Sequence, residues 1–380
     1  MRHLVPSAPV SLALALLAAP AMPLAAHAQQ AEAYGQTLQT PMETTASQHP
    51  VSFVALPIPI SNPALGNGLG VGAMALYSPA GSPRPWTTGF GGLYTDSPSW
   101  AVFAFQKAYI GDDKIRITVG GGTGDFNVDF FGIGQAAGAA GQSIGLDQKA
   151  TFGGGSVLFL VASHIHVGLL FRGVAMDTTV KTSEIHIADL MISDIELKST
   201  IAQLGLGFEY DSRDNEYNPR KGILAQVQWF DASGAFGSDF DYERFTAAIN
   251  GYHRLDDKSL LAWRGSLCWT GDGGPFYDLC SFGQNNDLRG YVAGQYRDHG
   301  MFAVQGEYRR QISHRWGMVA FAGVGEVAPD ITSFNTKNLL PAAGVGVRFM
   351  ASEKYKVNVG TDFAVGSHSS AFYFAIGEAF

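Results

Sequence analysis

The sequence predicts an all-β fold, a transmembrane antiparallel β-barrel of about sixteen strands. Three observations carry that expectation. From Leu69 onward the chain is a succession of alternating apolar and polar segments separated by turn residues. Hydrophobic residues make up 46% of it and charged ones only 15%, with 47 Gly, 25 Phe and 14 Tyr. Beyond an N-terminal export signal, no stretch has the roughly 18 continuous apolar residues of a spanning helix. In lipid every backbone polar group must be paired internally, so an exported chain of this kind points to a closed sheet.

Taken in order, Met1-Arg2-His3, an apolar run from Val10 to Ala19 and the small-x-small site Ala26-His27-Ala28 read as a signal peptide over 1–28. Residues 29–50 are rich in Gln, Ala, Thr and Ser without periodicity, as expected of a flexible periplasmic tail. The barrel domain spans 51–380. Its first stretch, Val54 to Pro63, contains too many prolines for a ladder-paired strand and reads as an extended lead-in. Strands are expected at 69–77, 86–94, 100–109, 114–122, 127–134, 149–162, 165–177, 198–210, 222–231, 241–252, 259–270, 300–311, 316–325, 339–349, 354–365 and 371–380. The number is even, as a bacterial single-chain barrel requires. With both ends periplasmic, the short connections 253–258, 312–315 and 351–353 fall inside. The longer ones, 135–148, 178–197, 271–299 and 326–338, fall outside, although Glu184 to Asp189 could equally pair as a strand.

Lys354 to Val365 shows the pattern most clearly: Tyr355, Val357, Val359, Phe363 and Val365 alternate with Lys354, Lys356, Asn358, Gly360 and Asp362. One face meets lipid and the other a wet lumen. The inward face also carries Arg264, Glu307, Arg309 and Arg348, which the dry core of a soluble sandwich would not tolerate.

The candidate site is the long polar loop from Ser281 through Asp298, centred on Leu288-Arg289-Gly290-Tyr291. A guanidinium is always charged, so an arginine held inside a narrow lumen needs a carboxylate partner. Gly290 lets the backbone turn sharply, and Tyr291 supplies a flat apolar body with a polar tip. On the strand after the loop, Phe302, Val304 and Tyr308 alternate with Ala303, Gln305, Glu307 and Arg309, which makes the lumen-facing Glu307 the first choice of anchor. Cys268 and Cys280 are the only cysteines; they form either a disulfide at the root of the loop or two free thiols, and geometry decides between these. At Asp211, Arg213 and Asp214, with Pro219 and Gly222 following, Asp and Asn can bond the backbone while Pro presets a turn. That segment is either a well-formed turn or a contact surface for a periplasmic partner. The last segment alternates through Phe372, Phe374, Ile376, Gly377 and Phe380.

The loop motif, the 211–222 turn and the closing strand together resemble the BamA/TamA family of outer-membrane assembly proteins, the bacterial surface antigen family. The resemblance implies a long loop folded into the lumen, with its arginine held there by acidic groups on neighbouring strands. It also implies a role in inserting, assembling or translocating proteins or lipids, with outer-membrane lipid, client outer-membrane proteins and periplasmic proteins as partners. A further acidic residue usual on the next strand is Gly323 here, so the second anchor is absent or is replaced by Asp362 or Glu326. The tail is too short for the periplasmic domains of the best-known members. The family mechanism implies a weakly paired seam between the strand carrying Gly70 and Gly72 and the closing strand, with a kink at Gly377.

Other function classes find little support. The net charge of -8 gives no basic footprint, so nucleic acid is not expected as a partner. The run Gly120 to Gly124 opens no helix and is not a phosphate loop, nothing has metal-ligand spacing, and no cofactor is expected. His164 and His166 share a strand end without an identifiable serine and acid, so no enzyme is expected. Two alternatives to assembly stand: a passive pore narrowed by the long loop, and a structural barrel that anchors a partner. The oligomeric state stays open.

Overall fold

The structure is a computed structural model that describes residues 51–62, 66–77, 79, 86–181, 194–215, 218–283, 287–352, 357–367, 369–376 and 378–380. The expected signal peptide, the tail, the segment Glu184 to Asp189 and the kink at Gly377 lie outside the described residues.

Sixteen strands form one sheet, each hydrogen-bonded to the next in sequence. They are β1 (Val51–Asn62), β2 (Gly66–Tyr77), β3 (Trp86–Thr95), β4 (Trp100–Ile110), β5 (Ile115–Phe130), β6 (Ile144–Ala162), β7 (Ile165–Val180) and β8 (Lys198–Asp211). The second half comprises β9 (Gly222–Ala232), β10 (Tyr242–Arg254), β11 (Ser259–Thr270), β12 (Gly300–Gln311), β13 (Trp316–Ala328), β14 (Leu340–Ser352), β15 (Val357–Gly366) and β16 (Ser369–Ile376). All described pairings are antiparallel, and the terminal strands β1 and β16 approach within 8 Å between Cα atoms. Period-two alternation sets the two faces. On β8, Leu204, Leu206 and Phe208 are exposed outward while Gln203, Gly205 and Gly207 are buried. The same outward row continues through Leu69, Phe90, Leu169, Trp263, Val345 and Phe363, an apolar belt around the sheet, whereas the inner face buries Arg116, Asn250, Glu307, Arg348 and Asp362.

The structure corrects several expectations. The proline-rich lead-in is a strand: β1 pairs with β2 along its whole length, Pro57 opposite Val71 and Pro59 opposite Leu69. Proline is excluded from ladders on both sides but tolerated at an edge, where the missing N–H points away from the neighbour. The expected strands 114–122 and 127–134 are a single strand, β5, carried through the glycine run by pairing with β6. One strand missed and one divided leave the total unchanged, but they reverse the direction expected for 69–122 relative to the rest. Gly70 and Gly72 therefore do not lie at the seam: they sit on β2, between Ile58 and Leu56 of β1 and Leu93 and Gly91 of β3. The closing strand ends at Ile376 rather than Phe380. Glu378–Phe380 turn inward, and the Phe380 ring packs on Tyr252, Leu260 and Ala262. The connection expected at 178–197 is shorter, since β7 runs to Val180 and a helical turn occupies Asp194–Leu197.

Candidate functional site

Between β11 and β12 the chain enters the lumen and returns. Its outer part is fixed through Asp278, which accepts hydrogen bonds from Tyr242 Oη at 2.6 Å and from Arg172 Nη2 at 2.5 Å, with Arg244 Nη1 3.8 Å away. Burial would raise this carboxyl, but Arg172 and Arg244 hold it below the usual carboxylate range. Cys268 on the inner face of β11 and Cys280 in the loop are joined in a disulfide with a Cα–Cα distance of 5.7 Å. A two-residue ladder then pairs Cys280–Ser281 with Arg297–Asp298, so the intervening residues form a closed hairpin-like tongue.

At the tip of the tongue, Arg289 is fully buried. Its Nη2 donates to Glu307 Oε2 and its Nη1 to Asp362 Oδ2, each at 2.5 Å. Nε and the backbone N both face Gln305 Oε1 at 3.4 Å, and the guanidinium plane lies 3.5 Å from the Phe321 ring centroid. Three strands thus supply the cradle: β12 gives Gln305 and Glu307, β13 gives Phe321, and β15 gives Asp362. A planar fork that reaches two carboxylates while stacking on an aromatic face uses features lysine lacks. Glu307 also accepts from Arg309 Nε at 2.6 Å, and Asp362 from Arg348 Nη1 at 2.5 Å.

The residues beside the arginine fasten the tongue to the end of the sheet. Gly290 has φ +120°, and an added Cβ would lie 2.9 Å from the Val365 carbonyl oxygen, so glycine is required there twice over. Its N–H donates to Tyr373 Oη at 2.9 Å, and its carbonyl accepts from Ser369 Oγ at 2.6 Å. Tyr291 Oη donates to the Pro341 carbonyl at 2.6 Å and accepts from Ser367 N at 3.1 Å. Its ring packs with Phe282 and Tyr296 at centroid distances of 5.3 Å each. Leu288 lies against Gly323, where a Cβ would meet Leu288 Cδ1 at 2.9 Å. Gly323, where the resemblance implies an acid, is therefore the floor on which Leu288 rests.

Among the candidate anchors, Asp362 touches Arg289, whereas Glu326 accepts both its hydrogen bonds from Asn335 N at 2.9 Å. In the 211–222 segment, Arg213 Nε bonds Asp211 Oδ1 at 2.9 Å, Asp214 Oδ1 accepts from Arg220 N at 2.9 Å, Pro219 is buried, and Gly222 opens β9 at φ +102°. On β16, Phe372 faces outward, Phe374 is half-buried, and Ile376 is the last strand residue. His166 Nε2 lies 2.8 Å from the Asp113 carbonyl and His164 Nδ1 3.1 Å from that of Asp211, so each ring is engaged with backbone. Gln305, Phe321 and Tyr373 were not singled out from sequence. Alternation placed Gln305 on Glu307's face, but nothing local marked which lumen groups the tongue would reach.

Comparison with known proteins agrees with this fold. The Omp85 superfamily domain model matches residues 140–380. Among solved structures, the chain is similar to BamA from Haemophilus ducreyi lacking POTRA domains 1–3, with a TM-score of 0.58 and 16% identity over 92% of this chain and 76% of that one. It is also similar to CdiB from Acinetobacter baumannii (TM-score 0.58, 11% identity, 88% of this chain and 60% of that one). CdiB from Escherichia coli gives a TM-score of 0.57 at 11% identity over 88% of this chain. The chain spans less than two thirds of either CdiB, 60% and 64% of their lengths. No curated protein matches the sequence. A family match over more than half of the residues, joined to the barrel they build, shows that this outer-membrane β-barrel of the protein insertion or translocation class belongs to the Omp85 superfamily.

Proposed function

We propose that the barrel acts on client outer-membrane proteins at the seam between β1 and β16, offering an incompletely paired strand edge to an incoming strand. The observation that carries this reading is the position of Pro57 and Pro59 on β1. Two residues apart, they present the same edge of the strand. Because β1 is laddered to β2, that edge is the one turned toward β16, and it lacks two backbone donors. A seam that cannot be fully hydrogen-bonded is easier to part than any other pairing in the sheet, and an exposed edge recruits strands. The tongue fastens Tyr373 and Ser369 of β16, so that side of the seam is held while the β1 side yields.

In this reading residues 1–28 serve as the export signal and 29–50 as a periplasmic tail. The buried tongue disfavours the reading as an open passive pore. The test is a disulfide engineered between the 51–62 and 369–376 strands. Locked and reduced barrels should show the same heat-modifiable mobility, while assembly of client barrels in proteoliposomes stops in the locked form and returns on reduction. Undiminished assembly by the locked barrel refutes the seam.

A further inference from the structure

The contacts of Arg289 are part of a larger figure that includes a segment outside the sheet. Starting from Arg289, Nη2 meets Glu307 at 2.5 Å, and Glu307 meets Arg309 Nε at 2.6 Å. Arg309 Nε lies 3.6 Å from Glu378 Oε2, which Arg348 Nε contacts at 3.1 Å. Arg348 meets Asp362 at 2.5 Å, and Asp362 returns to Arg289 at 2.5 Å. Three guanidiniums and three carboxylates alternate around a closed ring, every side chain at most 8% exposed. Five members stand on the tongue or on β12, β14 and β15. The sixth, Glu378, lies just past β16; its Oε1 also accepts from the neutral Asn358 Nδ2 at 2.6 Å, and its segment is held by Arg309 Nη2 on the Phe380 carbonyl at 2.9 Å and by the Phe380 ring over Arg309.

We infer that this ring couples the tongue to the segment after the closing strand, so that withdrawal of Arg289 releases Glu378–Phe380 from the lumen. The argument is one of charge balance. With Arg289 in place, three cations face three anions. Without it, Glu307, Asp362 and Glu378 share Arg309 and Arg348, and one carboxylate in a buried site loses its compensation. Glu307 and Asp362 are fixed on paired strands with contacts of 2.6 and 2.5 Å to the remaining arginines. Glu378 holds the two longest contacts of the ring, 3.6 and 3.1 Å, and is on the only member segment outside the sheet and the tongue. Glu378 is therefore the group that gives way, carrying Phe380 off Tyr252 and Ala262. Glu378 acts as a positioning residue: it reports the state of the tongue to the chain that adjoins the seam.

The experiment reads the segment directly and needs no assembly activity, so its failure and that of the seam reading are distinguishable. In an Ala379→Cys background, the native disulfide stays bonded and Ala379 is buried. Labelling by a membrane-impermeant maleimide is followed on folded barrel in proteoliposomes, with heat-modifiable mobility as the folding control. Arg289→Gln should label at least about tenfold faster than the parent, the least expected from unbalancing a buried ion cluster. Adding Glu307→Gln restores two cations against two anions and should return the rate to the parental value, which general loosening would not do. Glu378→Gln, the conservative variant with both cradle carboxylates intact, should label fast whether or not Arg289 is present, and it tests the latch even where Arg289→Gln fails to fold. Parental labelling in Glu378→Gln, or fast labelling by Arg289→Gln that Glu307→Gln does not reverse, overturns the coupling.

Discussion

Arg289 illustrates why a buried charge is better understood as a register device than as a source of stability. Replacing a buried ion pair with apolar groups is often neutral, but removing one partner strands the other and costs about 3–5 kcal/mol. Arg289→Ala should accordingly lower the urea midpoint of the folded barrel and its level in the outer membrane. Arg289→Glu should be worse, because it places three carboxylates together, and Glu307→Arg should partly rescue it. Heat-modifiable mobility and protease resistance through a urea series check all three; an Arg289→Ala barrel as resistant as the parent removes the anchor. How much of this site can be read from sequence follows from its geometry. Glu307 is legible because period-two alternation assigns it a face and the tongue immediately precedes its strand. Asp362 shares that legibility of face, but its choice over Glu326 depends on which wall of the lumen the tongue approaches. The parts played by Gln305, Phe321 and Glu378 are set by distances across the barrel between residues 16 to 89 positions from Arg289, for which no local pattern exists.

At the scale of elements, most strands announce themselves through alternation, and the failures have identifiable causes. Pro57 and Pro59 suppress a ladder only where both edges of a strand are used, so β1 is invisible to a rule that does not ask whether the strand is terminal. The glycine run in β5 carries no alternation of its own, since Gly120, Gly121 and Gly122 have no side chains to alternate, and the pairing with Gly154, Gly153 and Phe152 of β6 decides the structure there. Burial ended the closing strand early: Glu378 and Phe380 gain lumen partners that a continued strand would forfeit. The tongue depends on its own covalent tie. The Cys268–Cys280 bridge closes a 12-residue separation, and a loop of that size should contribute about 3 kcal/mol by restricting the unfolded chain. Replacing both cysteines with serine should leave barrel mobility on gels intact while making the 271–299 segment cleavable by added protease. Equal resistance in both proteins places the tongue's stability in Asp278 and the Arg289 ring instead.

For the molecule as a whole, the apolar belt and the charged interior are one decision repeated along the sheet, since the described strand residues alternate between lipid and lumen. What sits in the lumen then decides between the two functions such a cylinder could serve. Phe282, Leu288, Tyr291 and Tyr296 are buried within it in one cluster, Arg289 is buried against Phe321 of the wall, and Phe276 packs on Phe130, so the loop fills space rather than lining a channel. A solute pathway needs a continuous wet route, which a packed aromatic cluster denies. In planar bilayers the intact barrel should therefore pass little steady current. Deleting 287–296, which removes the ring's third guanidinium together with Leu288 and Tyr291, should produce a stable conductance if the emptied wall stays folded. A large steady current through the intact protein, reshaped but not created by the deletion, would instead mean that the tongue tunes a passive pore, and the seam would lose its claim as the working part of the barrel.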